Sequence, residues 1–257
     1  MKLSAIVLTR NEERNIGDCL SGLSWADEML VVDSGSADRT VALAEKGGAR
    51  VVVHPFTDFA SQRNFAIAQA KEDWILFIDA DERVTPELSD EIKAVVTSSD
   101  TSGASVYALP RLNYFFGQRL RFADSRDDAP IRLFPRRQAT WAQPVHEMIV
   151  TGLPVRKLKS PLLHDSTRDL AHYKQKVSDY VPLELKIMRE KGVKPALWKC
   201  FCMPPAKFFQ LYFLKSGILD GIPGFQYAIL SAYYTFVKHW RYWKGTDNAK
   251  DSKKTKT

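Results

Sequence analysis

The sequence predicts an α/β protein: a mostly parallel, doubly wound sheet with helices on both faces, followed by a helical C-terminal segment of different character. Three observations predict it. Short, apolar, β-rich runs alternate with helix-patterned stretches through the first hundred residues, as strand–helix–strand units require. Those runs are apolar throughout, as strands covered on both faces must be. From about residue 196 the chain turns into a mixture of basic and aromatic residues.

LSAIVLT (3–9) predicts the first strand. Asn11 reads as a helix cap, with Ile16, Cys19, Leu20 and Leu23 following at helical spacing. EMLVVDSGS (28–36) predicts a second strand that ends in Asp33 and a Gly/Ser turn. DRTVALAEKGG (38–48) predicts a helix closed by glycine. ARVVVHPF (49–56) is a third strand, FASQRNFAIAQAKED (59–73) a helix and WILFIDAD (74–81) a fourth strand. In TPELSDEIKAVV (85–96), Thr85 caps a helix and Pro86 takes its first position. After residue 104 the pattern changes. SVYALPRLNYFFG and PIRLFPRR read as aromatic-rich strands joined by a charged, solvated loop, FADSRDDA, and residues 169–192 predict a long helix. KGTDNAKDSKKTKT (244–257) is a low-complexity end, expected to be disordered. There is no internal repeat.

With 257 residues, 45% of them hydrophobic, the chain holds one sizeable domain (1–195) and an appendage (196–257). Cys19, Cys200 and Cys202 contain no C-x-x-C pair, which argues against a disulfide framework or structural zinc and fits a reducing compartment. The first apolar run is too short for a secretory signal. The net charge of +7 is concentrated: from Trp198 onward there are ten Lys/Arg against three Asp/Glu, and the preceding residues hold 27 of each sign. Interleaving with Trp, Tyr and Phe points to an anionic membrane surface rather than to nucleic acid. Seventeen uncharged residues, GIPGFQYAILSAYYTFV, separate Asp220 from Lys238. A spanning helix needs about 20 apolar residues, so this segment is expected to lie in the interface, with Trp240, Tyr242 and Trp243 at the headgroup level. The alternative is a helix packed on the domain, and both hold if one face packs and the other meets lipid.

Ligands of open α/β sheets sit beyond the carboxyl ends of the strands. Asp33 lies there after the second strand, and Asp79 and Asp81 after the fourth. If the chain stays extended, Asp79 and Asp81 point to one side and converge on one cation. Hard oxygen ligands suit Mg²⁺ or Mn²⁺, ions usually shared with substrate phosphates. An acidic turn in solvent is the plain alternative.

LSAIVLTRNEERNI, VVDSGSADRT, SQRNFAI and ILFIDADE, in this order, resemble the inverting, metal-dependent glycosyltransferases of family 2, which have the Rossmann-like GT-A fold. Downstream, WAQPVHE, LLHDSTRD and YFLKSGILDGIPGFQYAILSAYY resemble a bacterial branch, the glucosyltransferases of the lipopolysaccharide inner core. The resemblance implies that Thr9, Asn11 and Glu12 line the nucleotide pocket, that Asp33 bonds the base, and that Arg63 and Asn64 lie near the nucleotide. Arg63 is otherwise an exposed helix arginine. The resemblance also implies that Asp79 contacts ribose or metal, that Asp81 binds metal, and that Arg132 contacts the diphosphate. The base that deprotonates the acceptor is then Glu147 of the His146-Glu147 pair, with Asp127 and Asp128 as the other candidates. His164 either completes the metal site or is structural. The implied reaction moves a hexose, glucose from UDP-glucose, to a lipid-linked saccharide, at the cytoplasmic face of the inner membrane with the enzyme bound peripherally. Two rivals use the same residues: a phosphatase of the haloacid dehalogenase type, whose D-x-D usually opens the domain, and a catalytically silent transferase-like scaffold.

Overall fold

A computed structural model describes residues 2–98, 105–142 and 148–245. The elements run β1 (Leu3–Thr9), α1 (Ile16–Ser21), β2 (Glu28–Asp33), α2 (Thr40–Lys46), β3 (Arg50–Val53), α3 (Phe59–Gln69), β4 (Trp74–Asp79), β5 (Glu82–Val84) and α4 (Pro86–Thr97). They continue with β6 (Val106–Ala108), β7 (Arg111–Phe115), β8 (Gln118–Leu120), β9 (Ile131–Pro135), β10 (Thr140–Ala142), β11 (Met148–Val150), β12 (Val155–Lys157) and β13 (Leu162–Thr167). Three helices follow: α5 (Leu170–Glu190), α6 (Leu197–Phe209) and α7 (Ile222–Lys244). By packing, the chain divides into two compact units, Met1–Leu112 with Asp127–His164, and Asn113–Arg126 with Asp165–Thr257.

The first unit is built on a seven-stranded sheet in the order β12-β6-β9-β4-β1-β2-β3. β1 pairs in parallel with β2 and β4, and β2 with β3. β9 is antiparallel to its neighbours β4 and β6. The expected mostly parallel sheet is therefore present. Alternation of side chains puts Leu3, Ala5, Val7, Val31, Leu76 and Ile78 on one face, where they pack with α1, α2 and α4. Ile6, Leu30, Val32, Ile75 and Phe77 fall on the other face, under α3. Helices on both faces explain why these strands are apolar throughout. At the amino ends of the strands, buried Glu28 accepts hydrogen bonds from the Ser4 hydroxyl, the Lys71 N–H and the Arg50 guanidinium. Those contacts hold its carboxyl below the usual range against the opposing effect of burial.

Local chemistry accounts for most boundaries. Asp58 caps α3 by accepting from the Ser61 N–H, and Thr85 caps α4 by accepting from the Leu88 N–H. Asn11 is different. α1 starts only at Ile16, and Asn11 sits in the left-handed region with φ 56°. Its side-chain oxygen accepts from the Ala37 N–H across to the β2–α2 loop, so Asn11 fastens two loops and caps no helix. The short strand β5 was not expected, because Ala80 and Asp81 make a turn where the sequence reads as continuous strand.

In the second unit, β7 pairs with β8, and Asp169 caps α5 by accepting from the His172 N–H. α7 packs on α5 through Val177, Val181, Leu185, Tyr234, Val237 and Tyr242. The connection from α6 to α7 is tight. A Cβ on Gly224 would lie 1.9 Å from the Gly217 carbonyl oxygen, so the approach of the two segments admits only glycine there. Tyr242, expected at the headgroup level, is instead buried, and its hydroxyl donates to the Val193 carbonyl. A phenol whose hydrogen bond is made inside has no reason to face headgroups. Most of the low-complexity end, residues 246–257, lies outside the described residues.

Candidate active site

Strand register gathers the site. Thr9 pairs with Asp33 across β1 and β2, and Leu8 pairs with Asp79 across β1 and β4. Parallel strands of matched length thus bring Thr9, Asp33 and Asp79 to one edge of the sheet, the carboxyl edge. Asp33 is the hub of the β2 end. One oxygen accepts from the N–H groups of Gly35 (2.9 Å) and Ser36 (2.8 Å), the other from the hydroxyls of Thr9 (3.2 Å) and Ser36. Four donors let a carboxylate stay inside the fold. Asn11 and Glu12 line the same loops: the Asn11 N–H donates to Ser36 and the Glu12 N–H to Thr40, both at 2.8 Å.

Asp79 and Asp81 do not continue one extended strand. The turn at Ala80 and Asp81 separates their surroundings. Asp79 is bound by Arg132, whose Nη2 also donates to Glu82 at 2.9 Å, and Arg63 lies 3.8 Å from Asp79. Burial alone would raise the carboxyl of Asp79, but the charges of Arg132 and Arg63 outweigh it and hold it well below the usual range. Asp81 instead lies against His164, with Nε2 3.6 Å from its Oδ2. β13 delivers that histidine by pairing antiparallel with β5, His164 opposite Glu82.

Arg63 is not an exposed helix arginine. It is buried on α3, with its guanidinium 5.1 Å from the Phe77 ring centre and 4.6 Å from that of Trp141. Two aromatic faces and a carboxylate recover part of the hydration it gives up. Asn64 sets the second of those faces. Its amide donates to the Trp141 carbonyl (2.8 Å) and its oxygen accepts from the Trp141 N–H (2.9 Å), imitating a strand neighbour. Arg132, expected at the diphosphate, is 4% exposed, and its contacts are to Asp79 and Glu82.

Three residues escaped the sequence reading. Glu82 is completely buried; it accepts from the Asp79 N–H (2.8 Å) and bridges Arg132 and Arg111. Burial raises its carboxyl above the usual range, although Arg132 opposes the shift. Its one sequence signal is an acid placed directly after the D-x-D. Arg111 carries no such signal, since its partners Glu82 and Asp128 are remote in sequence. Trp141 sits in the quoted WAQPVHE stretch, but only the fold shows it over Arg63. Asp128 corrects the picture of a solvated loop: both its oxygens accept from Arg111, at 2.9 Å each. Glu147 and His146 lie outside the described residues.

Arg132→Met is expected to lower folding stability by about 3–5 kcal/mol, the scale for stripping one partner from a buried ion cluster. Urea denaturation measures it. Without Arg132, Glu82, whose carboxyl is already held above the usual range by burial, loses the charge that opposes that rise. A raised acid adds stability as pH falls, so the deficit against the parent protein should shrink from neutral pH toward about 5. A deficit independent of pH would mean that repacking, not charge, sets the cost.

Residues 4–158, more than half of the chain, match Glycosyl transferase family 2. The chain belongs to that family. The arrangement is accordingly GT-A-like, and the phosphatase alternative is overturned: the acid pair ends the fourth strand of a family 2 glycosyltransferase. The chain is 29% identical to the lipopolysaccharide core biosynthesis glycosyltransferase LpsC of Rhizobium meliloti, over 93% of each protein. It is also 29% identical to an uncharacterized glycosyltransferase of Rickettsia bellii, over 92% of this chain and 84% of that protein. A solved structure of glucosyl-3-phosphoglycerate synthase from Mycobacterium tuberculosis, in complex with Mn²⁺, uridine diphosphate and phosphoglyceric acid, covers 53% of this chain and 56% of its own, at 21% identity and a TM-score of 0.40.

Among the described residues, no group of three His, Cys, Asp or Glu side chains converges on a point. The donor set at Asp81 and His164 is one carboxylate and one imidazole. That set does not make a closed protein cage, but it fits a divalent ion that takes its remaining oxygens from a diphosphate and water.

Proposed function

We propose that this glycosyltransferase moves a hexose, glucose from UDP-glucose, with inversion to a hydroxyl of a lipid-linked saccharide, the lipopolysaccharide inner core. The observation that carries the reading is the placement of Asp33 and Asp79 at the carboxyl ends of parallel strands, with Arg63 beside Asp79 and the Asp81–His164 pair just past β4, in a family 2 chain. Similarity to LpsC along nearly the whole length supports the class of acceptor. Catalysis belongs to residues 1–195, and residues 196–257 keep the enzyme at the cytoplasmic face of the inner membrane, bound peripherally.

In this reading Thr9, Asn11, Glu12 and Asp33 form the nucleotide end of the site, with Asn64 holding Trp141 and Arg63 in place beside it. Arg132 and Arg63 keep Asp79 ionised, and Glu82, by accepting from Arg132 and from the Asp79 N–H, helps aim it at the ribose. Asp81 and His164 hold Mg²⁺ or Mn²⁺, which when bound offsets the negative charge growing on the departing diphosphate. Glu147 accepts the proton of the acceptor hydroxyl as that oxygen attacks the anomeric carbon from the side opposite the diphosphate, so one displacement inverts the centre.

Incubating the purified chain with a panel of sugar nucleotides and a truncated inner-core acceptor tests the reading. Expected are release of uridine diphosphate that depends on added Mg²⁺ or Mn²⁺, preference for UDP-glucose, and a β linkage by proton coupling constants. An α-linked product would overturn inversion. No diphosphate release with any donor would favour the silent scaffold.

A further inference from the structure

The helices α6 and α7 turn an apolar face outward. On α7, Ile222, Phe225, Ile229, Tyr233, Phe236 and Trp240 recur at intervals of three and four and so share one face. Ile222 is 70% exposed, and Phe225, Ile229 and Tyr233 are each nearly half exposed. On α6, Trp198, Phe201 and Phe209 are more than half exposed. Between the helices runs a groove of about 940 Å³ whose lining contains no charged side chain. A continuous exposed apolar surface of this kind marks an interaction site.

The connection between the helices exposes its leucines. Leu214 and Leu219 are 71% and 67% exposed. The two charged residues of the same turn are engaged within the unit: Lys215, still exposed, pairs with Asp124, and Asp220 accepts from the N–H groups of Arg121 and Phe122 at 3.0 Å. A turn facing water has no reason to hold two leucines in it. At the rim, the Lys199 ammonium stands 6.0 Å over the Trp198 ring and that of Lys244 stands 4.7 Å over the Trp240 ring. Such pairs let an aromatic ring sit in the interface while its cation reaches headgroups.

We propose that the α6/α7 hairpin is a monotopic anchor that lies flat at the headgroup–acyl boundary of an anionic bilayer, with the α7 stripe and the Leu214/Leu219 turn toward the acyl chains. Charge selects lipid over a second copy of the chain. The whole +7 surplus lies from residue 198 onward. Two copies face to face would bring those like charges together, whereas anionic headgroups complement them. No helix among the described residues is long and apolar enough to cross a membrane, so the depth is that of an interfacial helix, roughly 5–10 Å. The inference extends the lipid-linked-acceptor reading by naming the surface that meets the membrane. Vesicle binding needs neither donor nor acceptor, so its failure is distinguishable from failure of that reading.

The full chain is mixed with vesicles of phosphatidylethanolamine and phosphatidylglycerol, with and without brominated acyl chains. It is expected to float with the vesicles, and brominated lipid should quench the fluorescence of Trp198, Trp240 and Trp243. High salt should weaken binding without abolishing it, because the apolar face is insensitive to screening. Leu219→Glu combined with Ile222→Glu should weaken binding by about tenfold or more, with unchanged circular dichroism and unchanged rate on a water-soluble acceptor. The quenching arm stands on the parent protein alone, should the double variant misfold. Binding without quenching, or binding indifferent to the double variant, overturns the proposal. So does a parent protein that ignores vesicles and forms a dimer which the double variant splits, since a second copy then covers the face.

Discussion

Asp81→Asn is expected to lower turnover by about 10²–10³-fold, the scale of losing a group aimed at charge that develops in the transition state. The amide keeps the side-chain shape, so the turn between β4 and β5 has no reason to change. What is lost is the charge that a divalent ion needs beside the imidazole of His164, 3.6 Å away. The variant should also need more Mn²⁺ for half-maximal rate, while binding of uridine without phosphates stays near that of the parent. Initial rates across a metal titration in chelator-treated buffer measure both effects. Near-normal activity of the variant in that buffer would remove Asp81 from metal binding.

Glu147→Gln should slow sugar transfer by about 10²-fold or more while leaving donor affinity and folding unchanged. Glutamine has the size of glutamate and cannot accept the hydroxyl proton. Single-turnover rates with saturating donor, beside calorimetric titration with uridine diphosphate, separate the two quantities. An activity within a few-fold of the parent would move the base elsewhere. Asp127 would then be the next residue to replace, ahead of Asp128, because both oxygens of Asp128 already accept hydrogen bonds from Arg111.

Residues near in sequence were legible without a structure, because propensity, capping and periodicity act over a few positions. Apart from β5, the run from Leu3 to Val96 declared its strands and helices, Thr85 announced the start of α4, and WILFIDAD showed that a buried strand ends in acids. The family resemblance, too, rested on contiguous stretches, and it held. The uneven charge marked the last sixty residues as a separate kind of surface.

Partnerships across the sheet were another matter. A carboxylate's neighbours depend on strand order and register, which no local pattern encodes. Nothing near Arg132 says that it binds Asp79 and Glu82, 53 and 50 residues away. Nothing near His164 says that β13 will lay it beside Asp81, nor near Arg63 that Trp141 will cover it. The D-x-D was readable as a pair. Only the turn at Ala80 and Asp81, with the cations packed around Asp79, divided that pair into a carboxylate held by arginines and one left beside a histidine. The same holds for the C-terminal helices. Their hydrophobicity was visible in the sequence, but which stripe faces water and which packs on α5 was decided by the tertiary structure, because a helix rich in aromatics around its circumference has more than one face it can bury.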